Sequence, residues 1–196
     1  MKGEKIYVAG LIKNSFIDWP GKISSVIFLG GCNFKCPHCH NRAILCSSSN
    51  TTQLNAVLCD IKEQIGFVDG VVISGGEPTL HPNLREIIAT VRELGLAVKL
   101  DTNGSNYAVL RELVEGGLVD YVAMDIKAPL ERYKELQITN DISNVKKSIT
   151  YLKNQKKVPF MFRTTPIPEL IEVDFAGIAE LVGGTVWRRN DFVPQG

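Results

Sequence analysis

Cys32, Cys36 and Cys39 stand within eight residues, in the loop Gly30-Gly31-Cys32-Asn33-Phe34-Lys35-Cys36-Pro37-His38-Cys39-His40-Asn41 that follows the apolar run Val26-Ile27-Phe28-Leu29. The spacing Cys-x3-Cys-x2-Cys, on a turn leaving an expected buried strand, lets three thiolates converge on one inorganic centre. A cube of four irons normally takes four thiolates, so three cysteines leave one iron open, and an open iron is where chemistry can occur. The alternative is a structural zinc site, closed into a tetrahedron by His38 or His40. A disulfide framework is the weaker reading, because three neighbouring thiols cannot all pair and a reducing compartment would keep them free. Of the five cysteines, two lie outside the loop. Cys59, in a helical stretch, is expected to be a small buried hydrophobe, and Cys46 reads as a spare thiol in preference to an additional ligand, which would close the open iron.

Two further motifs frame that loop. Asp18-Trp19-Pro20-Gly21 precedes it, and Gly75-Gly76-Glu77-Pro78 follows the next strand. Together with Cys-x3-Cys-x2-Cys-His-Asn they resemble the radical S-adenosylmethionine (radical SAM) superfamily, over about Gly10 to Thr165. More narrowly, they are similar to the glycyl-radical-enzyme activases, the branch that includes the activating proteins of anaerobic ribonucleoside-triphosphate reductase and of pyruvate formate-lyase. The resemblance implies a 4Fe–4S cluster on Cys32, Cys36 and Cys39, with the amino and carboxylate groups of S-adenosylmethionine on the open iron. It implies reductive cleavage of that cofactor to a 5′-deoxyadenosyl radical, which takes a hydrogen atom from a glycine of a partner protein, in the first place anaerobic ribonucleotide reductase. A flavodoxin- or ferredoxin-type donor would supply the electron.

The elements that must position these residues are legible from periodicity. Strands are expected at Ser24–Leu29, Gly70–Ser74, Ala97–Asp101, Tyr121–Ile126, Val158–Arg163 and Thr185–Phe192, with Lys5–Ile12 as an edge strand. Helices are expected at Leu54–Ile65, Asn83–Leu94, Tyr107–Val114, Ile142–Leu152 and Phe175–Leu181, and the Ser-rich stretch Cys46–Thr52 as a flexible connection. Alternation of continuous apolar strands with amphipathic helices argues an α/β fold with a parallel sheet. Six units are too few for a closed eight-fold barrel, and the resemblance implies a partial, laterally open (β/α)6 barrel of parallel strands. In such folds ligands gather at the carboxyl ends of strands, and the polar motifs fall there.

By the same resemblance each strand end acquires a role. Gly75, Gly76 and Glu77 would bind the methionyl amino group, the glycines by close backbone approach and Glu77 by accepting from an ammonium. Asn41 would orient the cofactor. His38 stands where the family usually has an aromatic against the adenine. Asp101, Thr102 and Asp125, with the Ala123 carbonyl, match a monovalent-cation site beside the cofactor, and Lys127 and Arg163 match contacts to its carboxylate or ribose. From the residues alone, Asp101 reads equally as a turn residue and Asp125–Lys127 as a plain ion pair. No histidine follows His81 in this sequence, a departure from activases that place another histidine or a longer tail late in the chain, and Trp187 is expected in the core.

At 196 residues, 44% hydrophobic and 22% charged, the chain is expected to form one domain, 1–196, of ordinary globular composition. A net charge of +1 gives no signal for nucleic acid or for a membrane surface. Lys153–Lys157 reads as a solvated helix end. No apolar run approaches the roughly 20 residues needed to span a bilayer, and Met1–Lys5 lacks a signal-peptide core, so a cytoplasmic location is expected. Two other functions compete: a compact radical SAM enzyme on a small molecule, like the 7-carboxy-7-deazaguanine synthases, and a zinc-stabilised α/β binding module.

Overall fold

The computed structural model describes residues 6–39, 41–42 and 51–192. Short strands β1 (Tyr7–Val8) and β2 (Gly10–Ser15) lead into β3 (Ser24–Leu29). After β4 (Thr52–Gln53) the chain alternates: α1 (Leu54–Lys62), β5 (Gly70–Gly75), α2 (Leu84–Glu93), β6 (Ala97–Thr102), α3 (Tyr107–Glu115) and β7 (Tyr121–Asp125). It continues with α4 (Arg132–Glu135), α5 (Ser143–Asn154), β8 (Phe160–Thr164), α6 (Glu172–Val182) and β9 (Trp187–Arg189). β1 and β4 form their own antiparallel pair, Tyr7 opposite Gln53.

The main sheet has the order β2-β3-β5-β6-β7-β8-β9. Only β2 is antiparallel; β3, β5, β6, β7, β8 and β9 run parallel, which is the six-strand partial barrel expected from the alternation. Parallel neighbours put every crossover on the outer face and every strand terminus on one rim. Each strand sorts its side chains by the period of two. Outward-facing Ile27, Ile73, Val98, Leu100 and Val122 join the large core under the helices, where α2 contributes Leu84, Ile87, Ile88 and Val91. Each such burial contributes roughly 1.5–3 kcal/mol.

The inner face is different. Trp19, Val26 and Val72 form a separate apolar cluster with Phe28, Ala97 and Tyr121 packed against it. Trp19 is 3% exposed and plugs the end of the barrel opposite the rim, its ring 6.2 Å from that of Tyr121. It fits because Gly70 carries no side chain: a Cβ there would lie 2.8 Å from the indole and 2.6 Å from the Ala97 carbonyl.

Several boundaries depart from the sequence reading. The last strand is three residues rather than eight, and β8 begins after Pro159, which has no N–H to give a ladder. Helix α6 starts at Glu172, where the Asp174 carboxylate accepts from the Ile171 N–H. The expected edge strand Lys5–Ile12 is broken: Tyr7–Val8 pairs with β4, the edge of the main sheet is β2 from Gly10, and Lys5 lies outside the described residues. Helix α4 and a 3-10 turn at Pro78–Leu80 had no periodic signal, being too short to show one. Cys59 is exposed, not buried: Leu54, Val57, Leu58 and Ile61 make the inward stripe of α1, and residue 59 falls off it. Trp187 packs at the edge of the core and donates to Thr164 Oγ1. His40 and Cys46, with most of the Ser-rich stretch, lie outside the described residues. No helix among the described residues is long and apolar enough to cross a membrane.

Candidate active site

The rim encloses a cavity of about 350 Å³ lined by residues from every parallel strand end but the last, and by Asn190 just beyond β9. Cys32, Cys36, His38, Cys39 and Asn41 line it from the loop after β3, and Ser74, Gly75 and Gly76 from the end of β5. Asp101, Thr102 and Asn103 come from β6, Asp125 and Lys127 from β7, and Arg163 and Thr165 from β8. Cys32, Cys36, His38, Cys39, Asn41, Gly75, Gly76, Asp101, Thr102, Asp125, Lys127 and Arg163 therefore face one space, and Glu77 and Ala123 do not line it.

The cysteine loop is held from four directions. Gly31 O accepts from the Glu77 N–H at 2.8 Å, and Ile138 O accepts from the Lys35 N–H at 3.0 Å. Asn103 Nδ2 donates to Asn33 Oδ1 at 3.1 Å and approaches Cys32 Sγ at 3.8 Å. Phe34, 4% exposed, meets Tyr133 edge-on at 6.1 Å, and the Tyr133 hydroxyl accepts from the Lys127 N–H. At the outer end His38 Nε2 lies 2.9 Å from Glu169 Oε1, with its ring edge-on to Phe192 at 5.4 Å. Asn41 Nδ2 donates to the Gly75 carbonyl at 2.7 Å, so it ties the loop to β5.

Glu77 sits where the sequence did not predict. Its side chain is fully buried and accepts from Thr79 N and Oγ1, from Thr102 Oγ1 at 2.7 Å and from Asn103 N at 2.6 Å. Burial holds the carboxyl above its ordinary value, and the four donors offset only part of that rise. With its oxygens turned away from the cavity, Glu77 welds the β5 and β6 loops together, and the Gly75-Gly76 main chain is what a ligand would meet.

The floor is an ion-paired chain. Asp101 pairs with Lys99 and with Arg163 Nη1 at 3.1 Å; Asp125 pairs with Arg163 Nε at 2.9 Å and with Lys127 Nζ at 2.9 Å. The pairing follows from register: Asp125 stands opposite Arg163, and Asp101 occupies the neighbouring strand. A monovalent cation at Asp101, Thr102 and Asp125 is not what this arrangement favours, because both carboxylates already have cationic partners and the Thr102 hydroxyl is given to Glu77. Lys99 was missed in the sequence. Its signal was there: residues 97, 99 and 101 share the inner face of β6 by the period of two.

Burial works against ionised Asp125, but Arg163 and Lys127 overcome it and hold the carboxyl well below the usual range. Burial likewise opposes charged Lys127, and Asp125 and Cys36 hold its ammonium above the ordinary lysine value. Ionised Asp125 therefore adds stability above the unfolded carboxyl value of about 3.9, and that stability is lost as pH falls toward the folded value. Below about pH 4 the unfolding free energy is expected to fall by up to about 1.4 kcal/mol per pH unit from this group. Asp125→Asn should flatten that limb in denaturant titrations between pH 2.5 and 7.

Burial pushes the Cys32 and Cys36 thiols up, and for Cys36 the Lys127 ammonium opposes it. Thiols in such a place become thiolates only against a strong local cation, as a metal centre provides. Among the described residues no three His, Cys, Asp or Glu side chains are gathered closely enough for a single metal ion. Three thiols lining one cavity match the three-thiolate set that leaves one iron of a cluster open.

The radical SAM superfamily model matches residues 26–182, four-fifths of the chain. The chain belongs to the radical SAM superfamily. Within it, a Methanocaldococcus jannaschii protein provisionally named a glycyl-radical enzyme activating enzyme is 39% identical over 184 residues, 91% of this chain and 76% of that relative. The pyruvate formate-lyase-activating enzyme of Clostridium pasteurianum is 32% identical over 118 residues, 57% of this chain and 48% of its own length. In fold, the radical SAM chain matches Streptococcus suis SuiB with a TM-score of 0.65 at 13% identity, over 87% of this chain and 40% of that one. Membership explains why the cysteine loop, the Gly-Gly turn and the basic floor converge, since a radical SAM site must hold a cluster and an amino-acid-bearing nucleoside side by side.

Proposed function

We propose that this radical SAM chain, read as one domain over residues 1–196, is a glycyl-radical-enzyme activase. The observation that carries the reading is the 39% identity to the M. jannaschii relative across 91% of the chain, taken with the three thiols and cationic floor in one cavity. Cys32, Cys36 and Cys39 would hold a 4Fe–4S cluster. The cluster, when bound, supplies the electron that splits S-adenosylmethionine into methionine and the 5′-deoxyadenosyl radical that removes a glycine hydrogen atom.

This chain's residues orient and enclose. The cavity-lining main chain of Gly75 and Gly76 would accept from the methionyl ammonium, which Glu77 would assist by fixing the turn. Lys127 and Arg163 meet the carboxylate with charge-assisted hydrogen bonds. Asp101 presents an acceptor to the nucleoside, Asn41 holds the loop against β5, and His38 packs at the adenine end. Asp125 keeps Lys127 and Arg163 charged and aimed. A partner loop carrying the glycine would enter at the rim, between the His38–Glu169 contact and Asn190. The partner class is a glycyl radical enzyme, with anaerobic ribonucleotide reductase as our first choice and a flavodoxin or ferredoxin as electron donor.

The test is anaerobic reconstitution with iron and sulfide, reduction, and assay of 5′-deoxyadenosine, wild type beside Cys36→Ala. Wild type should show cluster absorbance and form deoxyadenosine, and Cys36→Ala should fall to background in both. Adding candidate partners and recording a glycyl doublet by electron paramagnetic resonance then identifies the substrate. Stoichiometric zinc with no cluster and no deoxyadenosine would overturn the reading.

A further inference from the structure

We infer that Lys99 is a built-in cation of the cavity floor, a positioning residue that holds Asp101 in place of an inorganic monovalent ion. Lys99 is 0% exposed on the inner face of β6. Its Cα partners are Val72 on β5 and Tyr121 on β7, both at the apolar inner cluster, so its stem lies in a dry layer and its ammonium reaches Asp101 Oδ1 above.

Oxygen by oxygen, the floor is paired with cations. Asp101 Oδ1 takes Lys99, and Asp101 Oδ2 takes Arg163 Nη1 at 3.1 Å and the Ser74 hydroxyl at 3.3 Å. Asp125 Oδ1 takes Arg163 Nε at 2.9 Å, and Asp125 Oδ2 takes Lys127 Nζ at 2.9 Å. Each of the four carboxylate oxygens thus has a cationic donor, so an inorganic cation would have to enter against the charges of Lys99, Arg163 and Lys127. Lys99 is the hardest to displace, since its fully buried ammonium has no route to water and Asp101 is the carboxylate it contacts. Three cations against two carboxylates also leave one positive charge in excess, which suits an anionic ligand group at Lys127 and Arg163 and repels a small cation.

Substituting Lys99 should therefore turn a cation-indifferent protein into a cation-dependent one. Lys99→Ala leaves a space beside Asp101 Oδ1 that potassium or ammonium can fill, while tetramethylammonium is too large. Lys99→Met keeps the volume, removes the charge and closes the space. The measurement is the melting temperature of the protein without cluster or nucleotide, in potassium, ammonium or tetramethylammonium chloride at one ionic strength, so that it stands apart from whether the activase reading holds.

Wild type should melt at the same temperature in all three salts. Lys99→Ala should rise saturably by about 2–4 °C in potassium or ammonium over tetramethylammonium. Lys99→Met should melt below wild type and show no salt preference. A wild type selectively stabilised by potassium, a Lys99→Ala protein indifferent to the salt, or a Lys99→Met protein as stable as wild type would each overturn the proposal. If Lys99→Ala does not fold in any salt, the wild-type and Lys99→Met results still decide it.

Discussion

Gly75→Ala is expected to destabilise the protein by roughly 3–5 kcal/mol and to abolish cluster loading. The glycine has φ +123°, and a Cβ on it would sit 2.2 Å from the Leu29 carbonyl oxygen and 2.4 Å from the Leu29 nitrogen. Leu29 is its Cα partner on β3 and the last residue before the cysteine loop. Both obstacles are main-chain atoms that no rotamer can move. About 1–3 kcal/mol comes from the disfavoured backbone conformation and a similar amount from overpacking. Relief requires β3 and β5 to part at their rim ends, where Asn41 also holds the Gly75 carbonyl.

Gly104→Ala is the control. Its φ is +74°, but its Cβ would meet the end of the Met124 side chain, which can turn away. A smaller loss of about 1–2 kcal/mol is expected there. Urea titrations of both variants compare them directly, and a Gly75→Ala loss no larger than that of Gly104→Ala would refute the backbone-clash account.

The second large effect is at Glu77. Glu77→Ala removes an acceptor shared by two N–H groups and two hydroxyls in a fully buried place, and leaves the β5 and β6 loops without their weld. A loss on the order of 3–5 kcal/mol is expected, because the orphaned main-chain donors have no water to turn to. Glu77→Gln keeps the shape but points amide hydrogens at some of those donors, and should cost about 1–3 kcal/mol. If Glu77 instead bound an ammonium in the cavity, Glu77→Ala would weaken S-adenosylmethionine binding while leaving the urea midpoint nearly unchanged.

The cysteine chemistry was legible because its ligands are close in the chain: Cys32, Cys36 and Cys39 sit on one short turn, and spacing alone brings them together. The parallel strands β3, β5 and β7 were legible because each carries a largely apolar run bounded by turn residues and followed by an amphipathic helix. The gathering of Asn41, Asp101, Asp125, Lys127 and Arg163 followed from the rule that parallel strands share a rim. Their partners did not follow. Arg163 bridges two carboxylates because β7 and β8 pair Asp125 with Arg163, and register is a property of the assembled sheet. The brevity of β9, the exposure of Cys59 and the short α4 were hidden for a related reason, since each depends on which neighbour a segment finds.

Local order therefore sufficed for the superfamily, the three thiols, the strand–helix alternation and the rim as the place of chemistry, all of which depend on residues close along the chain or on periodicity. The tertiary structure alone decided that Glu77 turns inward as a weld, that Trp19 closes the far end of the barrel under Gly70, and that Lys99 pairs with Asp101 in the floor. Those outcomes are set by burial and by charges from β6, β7 and β8 meeting in one small volume. In such a volume an acidic residue ligates, welds or pairs according to which donors arrive beside it, and the donors come from distant parts of the chain.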